Sequence, residues 1–280
     1  IAHVPDLITA RLLANPTSDP IALSLEGTVL FADVDGFTPL AERFARTASL
    51  EGVEELTDLI NRVMAILIGT ARQYGGDLLK FGGDAGLFYF GGPHHARRAA
   101  TAAMAIQRAM AERLGTVEAS VGELTLRVAI GLGSGLLIAL GLGDADGREL
   151  LPLGPPLEAM GAAQRQAPPG GTVVHRSTAA AAGDALTLRP IGEGFYTLTA
   201  VHSPAQVDPP RQRLALPEGP PETRVPWMLA RLDALSPFLA PGLLELLTSA
   251  SGVDGDLLSS DRRLVTVMMV SVPPFPGLMA

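Results

Sequence analysis

The first hydrophobic pattern in the chain is a short, β-prone apolar run over residues 28–31, followed by an Asp-rich polar turn. Leu40 and Phe44 then recur at helical spacing, so this segment predicts a strand, a tight turn and a helix. Apolar residues recur every three or four positions over residues 51–74, which predicts one long helix with a single buried face. The Gly-Gly pair at 75–76 ends that helix.

A glycine-rich segment follows, in which two apolar runs flank Gly82-Gly83. A Gly-Gly pair between apolar runs is a strong hairpin signal, so we predict two strands around this turn. The remaining predicted elements, in chain order, are a helix over 94–114, a strand over 124–130, a strand hairpin over 131–143, a helix that begins with Pro just after Gly154, and strands over 170–175, 186–192 and 194–201.

This mixture of helices, strands and hairpins is typical of an α+β sheet domain with helices on one face, rather than of a strictly parallel fold. Composition becomes Pro-rich and polar after about residue 202, as in linkers. Near the C-terminus the segment TVMMVSVPPFP repeats the pattern of TVLFADVDGFT in the first strand. We therefore expect four parts: a helical lead-in over 1–24, the sheet domain over 25–205, a Pro-rich and then helical linker over 206–260, and the start of a second, similar domain over 261–280.

Composition narrows the classes of function. The 280 residues are 47% hydrophobic and include no Cys, which excludes a thiolate zinc site and a cysteine nucleophile and agrees with a reducing compartment. No apolar run approaches the roughly 18 residues of a membrane span, and no signal peptide is recognised, so we predict a cytoplasmic protein. A net charge of −8 without a basic cluster argues against nucleic-acid binding.

Candidate chemistry lies in three aspartates. Asp33 and Asp35 flank Val34 after the first strand, and Asp84 lies at the hairpin turn. If the hairpin pairs beside the first strand, the carboxylates of Asp33 and Asp84 converge, and two such charges about 4 Å apart repel by roughly 4 kcal/mol at an effective dielectric of 20. A divalent cation removes this repulsion, so the pattern predicts Mg²⁺ or Mn²⁺. We expect only one of Asp33 and Asp35 to face a given ligand; Asp35 alone is also typical of a turn or cap.

An anion site is predicted beside these carboxylates. The residues Gly36-Phe37-Thr38 open a helix directly after the Asp-rich turn, and free N–H groups at a helix N-terminus bind anions. Mg²⁺ prefers few protein carboxylates together with substrate phosphate oxygens. Two metal ions can also activate an attacking oxygen while neutralising a leaving phosphate. The segment therefore predicts phosphate chemistry.

Four motifs together, FADVDGFT, KFGGD, LPLGPPLEAM and APPGGTVV, resemble the catalytic domain of class III adenylyl and guanylyl cyclases over about residues 25–200. The chain is most similar to the soluble, bicarbonate-responsive adenylyl cyclases, which carry two cyclase domains in tandem. The resemblance implies a ferredoxin-like βαββαβ domain with extra strands, followed by a helical linker. It also implies the reaction, in which the ribose 3′-oxygen attacks the α-phosphorus of ATP and releases cyclic AMP and pyrophosphate, so the protein would be an adenylate cyclase, a phosphorus–oxygen lyase.

The resemblance also implies roles for individual residues. Asp33 and Asp84 would be the catalytic metal ligands for two Mg²⁺ or Mn²⁺ ions, and the carbonyl of Val34 would be a third ligand. The amides of Gly36, Phe37 and Thr38 would hold the phosphates.

Several positions depart from the family pattern. Where a self-sufficient cyclase carries an Asn and a transition-state Arg after the glycine of this helix, the chain has Glu158 and Ala162, and the purine-reading position is Leu151. In the C-terminal segment, Ser271 occupies the position of Asp33. We therefore expect a shared active site, in which a second cyclase domain, in the full-length chain or in a dimer partner, supplies these groups. Either half alone would be nearly inactive.

Lys80, the only lysine in the chain, has two interpretations. The resemblance implies that it lines a second pocket where bicarbonate acts, although the Arg that would accompany it is replaced by Gly161. Alternatively, Lys80 pairs with a nearby carboxylate.

Two alternative functions remain open. One is a non-catalytic module that senses a nucleotide or an anion. The other is a diguanylate cyclase, which fits less well because Ala85, rather than an acidic residue, follows Gly-Gly-Asp.

Overall fold

The computed structural model describes residues 4–47, 50–202 and 218–239. The strands are β1 (Ile21–Asp35), β2 (Asp77–Gly82), β3 (Ala85–Gly91), β4 (Val117–Ala119), β5 (Gly122–Leu124), β6 (Arg127–Gly143), β7 (Arg148–Leu153), β8 (Thr172–His175), β9 (Leu186–Gly192) and β10 (Phe195–Val201). The α-helices are α1 (Asp6–Ala14), α2 (Phe37–Thr47), α3 (Leu50–Gln73), α4 (His95–Leu114), α5 (Pro155–Gln164), α6 (Arg176–Ala182) and α7 (Pro221–Leu235).

Eight strands form one sheet in the order β2-β3-β1-β6-β8-β10-β9, with β7 also paired to β6. Its first four strands, together with α2, α3 and α4, make two interleaved βαβ units, in which each strand is antiparallel to its neighbours. This is the ferredoxin-like βαββαβ arrangement, so the predicted α+β fold with extra strands is confirmed. The hairpin β2–β3 pairs beside β1, as the convergence of the aspartates requires.

The prediction that helices cover one face of the sheet is wrong. Leu30 and Ala32 of β1 pack in a core that also holds residues of α3 and α4, whereas Val29 packs on the opposite face in a core that also holds residues of α1, α5 and α7. The sequence of β1 explains this. A strand with one face in water alternates between apolar and polar residues, whereas the apolar run in β1 is continuous, so both of its faces are buried.

The glycine-rich segment that was predicted to be a hairpin is instead part of one long strand, β6, which pairs with β1 along the whole of Ile21–Asp35. Its glycines allow close packing rather than a turn. A Cβ atom at Gly131 would lie 2.4 Å from the backbone N of Gln164, and one at Gly133 would lie 2.3 Å from the carbonyl oxygen of Pro156. The helix α5 therefore lies directly on the backbone of β6.

The other elements agree with the sequence except in detail. The helices α4 and α5 and the strands β8 to β10 are confirmed, whereas α6 and the small hairpin β4–β5 were not predicted. β1 begins at Ile21, before the expected boundary at 24, and α7 lies within the predicted linker. The repeated segment over 261–280, with Ser271, falls outside the described residues. None of the described helices is long and apolar enough to cross a membrane.

Candidate active site

The sheet places Asp33 and Asp84 side by side. Asp33 is the last residue of β1 that pairs with β3, where its partner is Ala85. Because Gly82 also pairs with Ala85, the turn consists of Gly83 and Asp84, one residue later than predicted. Gly83 has φ +70, a left-handed conformation that glycine adopts without steric strain. The turn therefore presents Asp84 next to the end of β1.

The negative charges of Asp84 and Asp35 act on the carboxyl group of Asp33. The pKa of Asp33 is raised, first by burial and then by the negative charges of Asp84 and Asp35, while a hydrogen bond from Gln164 lowers it. The expectation that only one of Asp33 and Asp35 faces a ligand is wrong, because residues two apart on a strand share a face. The site is thus a patch of three like charges, which attracts a cation.

Gln164, the last residue of α5, is a member of this site that the sequence analysis missed. Its Nε2 donates a hydrogen bond to Oδ2 of Asp33 over 3.1 Å. The two residues are 131 positions apart in the chain, and only the packing of α5 on β6 brings them together. The alternating Gly131 and Gly133 were the sequence signal for that packing, but their segment was predicted to be a strand hairpin.

The predicted anion site lies at the junction of β1 and α2. Gly36 has φ +75 and turns the chain between Asp35 and Phe37, and its carbonyl oxygen accepts a hydrogen bond from Leu40 N at 3.2 Å. The first N–H groups of a helix have no partner within the helix. The amides of Phe37 and Thr38 are such groups, because α2 begins at Phe37, two residues after Asp35. The side chain of Val34 is buried in the core (4% exposed), so only its backbone is left to serve a ligand.

The donor set fits a metal ion that is shared with phosphate oxygens. Among the described residues, no group of three or more His, Asp or Glu side chains is arranged to hold a metal ion by itself. Mg²⁺ is commonly bound by one or two carboxylates together with substrate phosphates. Asp33 and Asp84 supply two carboxylates, and the start of α2 supplies amides for an anion. The residues present therefore fit Mg²⁺ or Mn²⁺ bound together with a phosphorylated ligand.

Lys80 lies on β2 and forms an ion pair with Glu149 of β7, with 2.7 Å between Nζ and Oε2. The hydrogen bond from Lys80 and its charge lower the pKa of Glu149. This contact supports the interpretation in which Lys80 pairs with a carboxylate. The side chains are 41% and 80% exposed, and such exposed pairs contribute little stability.

The positions that depart from the cyclase pattern lie on α5 and β7. Glu158 is exposed on α5 and Ala162 is half-buried there, so neither position carries a cation. Leu151 is 40% exposed and offers no hydrogen-bonding group for a purine. None of these three positions therefore supplies a cation or a base-reading group.

The domain is similar to known nucleotide cyclase domains. Residues 24–148 match the family described as adenylate and guanylate cyclase catalytic domain. Adenylate cyclase type 10 of Mus musculus is 29% identical over 169 residues, which are 59% of this chain and 10% of that protein. The chain thus spans about a tenth of the length of this curated relative.

Two solved structures share the fold. The guanylate cyclase domain of RhGC from Catenaria anguillulae, in complex with GTP, has a TM-score of 0.53 and 24% identity, covering 64% of this chain and 99% of that one. The adenylyl cyclase CyaB from P. aeruginosa has a TM-score of 0.53 and 22% identity, covering 67% of this chain and 99% of that one. The fold, the motifs and the family match agree that residues 24–148 make a domain of the adenylate and guanylate cyclase catalytic type.

Proposed function

We propose that this domain is the metal-binding half of an adenylate cyclase, which forms cyclic AMP and pyrophosphate from ATP in an active site shared with a second cyclase domain. The observation that carries the proposal is the convergence of Asp33 and Asp84 next to the start of α2. A site for inorganic anions alone does not need two carboxylates at its centre. A site that binds a nucleoside triphosphate together with a divalent metal ion needs such carboxylates.

In this proposal Asp33 and Asp84 hold the metal ions, and the carbonyl of Val34 is a further ligand. When bound, the metal ions would supply Lewis acidity, which would favour ionisation of the ribose 3′-hydroxyl and neutralise charge on the departing pyrophosphate. The amides of Gly36, Phe37 and Thr38 orient the phosphates. The new bond joins the 3′-oxygen to the α-phosphorus, the bond from that phosphorus to the bridging oxygen breaks, and the 3′-hydroxyl proton is released.

A second domain is required because this half lacks two groups. Glu158 and Ala162 supply no cation for the charge that develops on the phosphorus, and Leu151 supplies no base-reading group. ATP is preferred as the substrate because the curated relative is an adenylate cyclase. The same missing groups would suit a regulatory module that binds nucleotide without turning it over, and the experiment distinguishes the two.

The test measures cyclic AMP and cyclic GMP formed with Mn²⁺ from ATP or GTP, by this chain and by a chain extended through the predicted second cyclase domain. We expect turnover of ATP by the extended chain only. Asp33→Ala or Asp84→Ala in the extended chain should lower kcat by about a hundredfold or more, the scale on which a group that stabilises transition-state charge acts. Asp184→Ala, at an exposed carboxylate, is the matched control and should leave kcat unchanged.

Two results would contradict the proposal. Unchanged turnover in Asp33→Ala would rule out the metal assignment. Nucleotide binding by the extended chain without any cyclic product would instead support the regulatory module.

A further inference from the structure

The C-terminal end of α5 is fixed against the sheet by backbone contacts. At Gly131 a Cβ atom would meet the backbone N of Gln164 and the carbonyl oxygen of Met160, each at 2.4 Å. Since both contacts involve backbone atoms, the helix end cannot move toward β6, and its position there is set by shape rather than by a flexible side chain. Gln164 is therefore held at a defined place above the strand that neighbours β1.

From that place, the side-chain amide of Gln164 reaches Asp33, with 3.1 Å between Nε2 and Oδ2. Within the described part of the chain, this is the side-chain hydrogen bond that acts on the Asp33 carboxylate. The hydrogen bond engages Oδ2 of Asp33, and Oδ1 takes no part in it. Ala129 and Ala85, which pair with Asp33 in the sheet, offer no side-chain donor.

The chemistry of an amide suits this position. A carboxylate surrounded by the negative charges of Asp84 and Asp35 gains from a donor that fixes its rotamer. A Lys or Arg would fix it as well, but would bring a positive charge that competes with a bound cation. An amide donates a hydrogen bond and remains neutral, so it orients the carboxylate without occupying the cation's electrostatic role.

We propose that Gln164 is a positioning residue, which holds Oδ2 of Asp33 and so presents Oδ1 to the metal ion. The proposal rests on the metal site of the proposed function. Hydrogen-bond partners of metal ligands generally change metal affinity by 10–100-fold when they are removed, so the effect is measurable in binding itself, without turnover.

The experiment titrates Mn²⁺, as its complex with a non-hydrolysable ATP analogue, into this chain and follows the unbound complex by electron paramagnetic resonance, alongside thermal unfolding. Gln164→Met keeps the length of the side chain and removes its N–H donors. Gln166→Met makes the same change at an exposed glutamine two residues later and is the matched control. We expect the Mn²⁺ dissociation constant to rise about tenfold or more in Gln164→Met and to stay unchanged in Gln166→Met, with the unfolding temperature of both close to that of the parent chain.

Asp33→Ala is measured in the same series, so the experiment distinguishes failure of the positioning role of Gln164 from failure of the metal site. If Asp33→Ala loses Mn²⁺ binding and Gln164→Met does not weaken it, the positioning role is overturned and the metal site stands. If the parent chain does not bind Mn²⁺, or Asp33→Ala binds it as tightly, both are overturned. Should Gln164→Met fold poorly, Gln164→Leu replaces it with the same expected rise.

Discussion

Asp77, at the first position of β2, holds the N-terminus of α1 with both of its carboxylate oxygens. Its Oδ1 accepts a hydrogen bond from Asp6 N at 2.8 Å and its Oδ2 accepts one from Leu7 N at 2.9 Å. Free N–H groups at a helix start need such an acceptor. Here the acceptor comes from 71 residues away, and burial raises its pKa to about 6 in spite of these bonds.

This raised pKa predicts a pH dependence of stability. The folded chain binds the Asp77 proton more tightly than the unfolded chain, so this residue contributes stability that is present below about pH 4 and is lost as the pH rises through about 6. We expect the free energy of unfolding of the parent chain to fall by about 2 kcal/mol more than that of Asp77→Asn between pH 4 and pH 7. Urea unfolding at four pH values measures it, and parallel pH curves for the two chains would disprove the assignment.

At the scale of elements, the contact between α5 and β6 decides where the site residues lie. Glycine appears in both elements for opposite reasons. Gly131 of β6 lies under the helix backbone, whereas a Cβ at Gly161 of α5 would meet only Nη1 of Arg165, at 3.5 Å. The first glycine is required by close packing, and the second is a weak point of a helix.

The pair of variants Gly131→Ala and Gly161→Ala tests this distinction. The first must push α5 away from β6 and should lower the free energy of unfolding by about 1–3 kcal/mol or more. The second should raise it by about 0.5–1 kcal/mol, because alanine is the better helix former. Chemical denaturation measures both, and equal effects of the two substitutions would show that α5 is not held against the backbone of β6.

At the scale of the whole molecule, the helix α7 joins the predicted linker to the beginning of the chain. Arg231 donates from Nε to the carbonyl oxygen of Leu13 at 2.8 Å, and its guanidinium carbon lies 3.7 Å from the ring centroid of Trp227. Ala234 and Leu235 are buried in the same core as Ile8. The helix α7 therefore packs with α1 in the core on one face of the sheet.

Removal of this link should loosen both helices without unfolding the sheet. In Arg231→Ala we expect faster amide hydrogen exchange in α1 and α7, with the exchange of β1 and β6 unchanged, since only the packing of the outer helices is weakened. Arg189→Ala, at an exposed arginine of β9, serves as the control. Uniform acceleration over the sheet in Arg231→Ala would show that α7 is part of the cooperative core instead.

Much of the fold and part of the candidate site were predictable from local patterns. The apolar run, the Asp-rich turn and the glycine-rich hairpin specify β1, β2 and β3, and strand pairing then brings Asp33 to Asp84. The same patterns place Gly36 at the start of α2. These features depend on short-range propensities and on neighbouring elements, which the order of residues records directly.

Other features were decided by tertiary structure alone. Thr28 is fully buried and lies 2.7 Å from Nδ1 of His95 and 2.6 Å from the hydroxyl of Ser134, and Gln164 meets Asp33 across 131 residues. Such contacts join elements whose distance in space depends on how helices pack on both faces of the sheet. The sequence by itself determined β1, β2 and β3 and the aspartates that they bring together, and tertiary packing decided which distant polar groups complete the site, because a hydrogen bond between remote residues leaves no periodic signal in the chain.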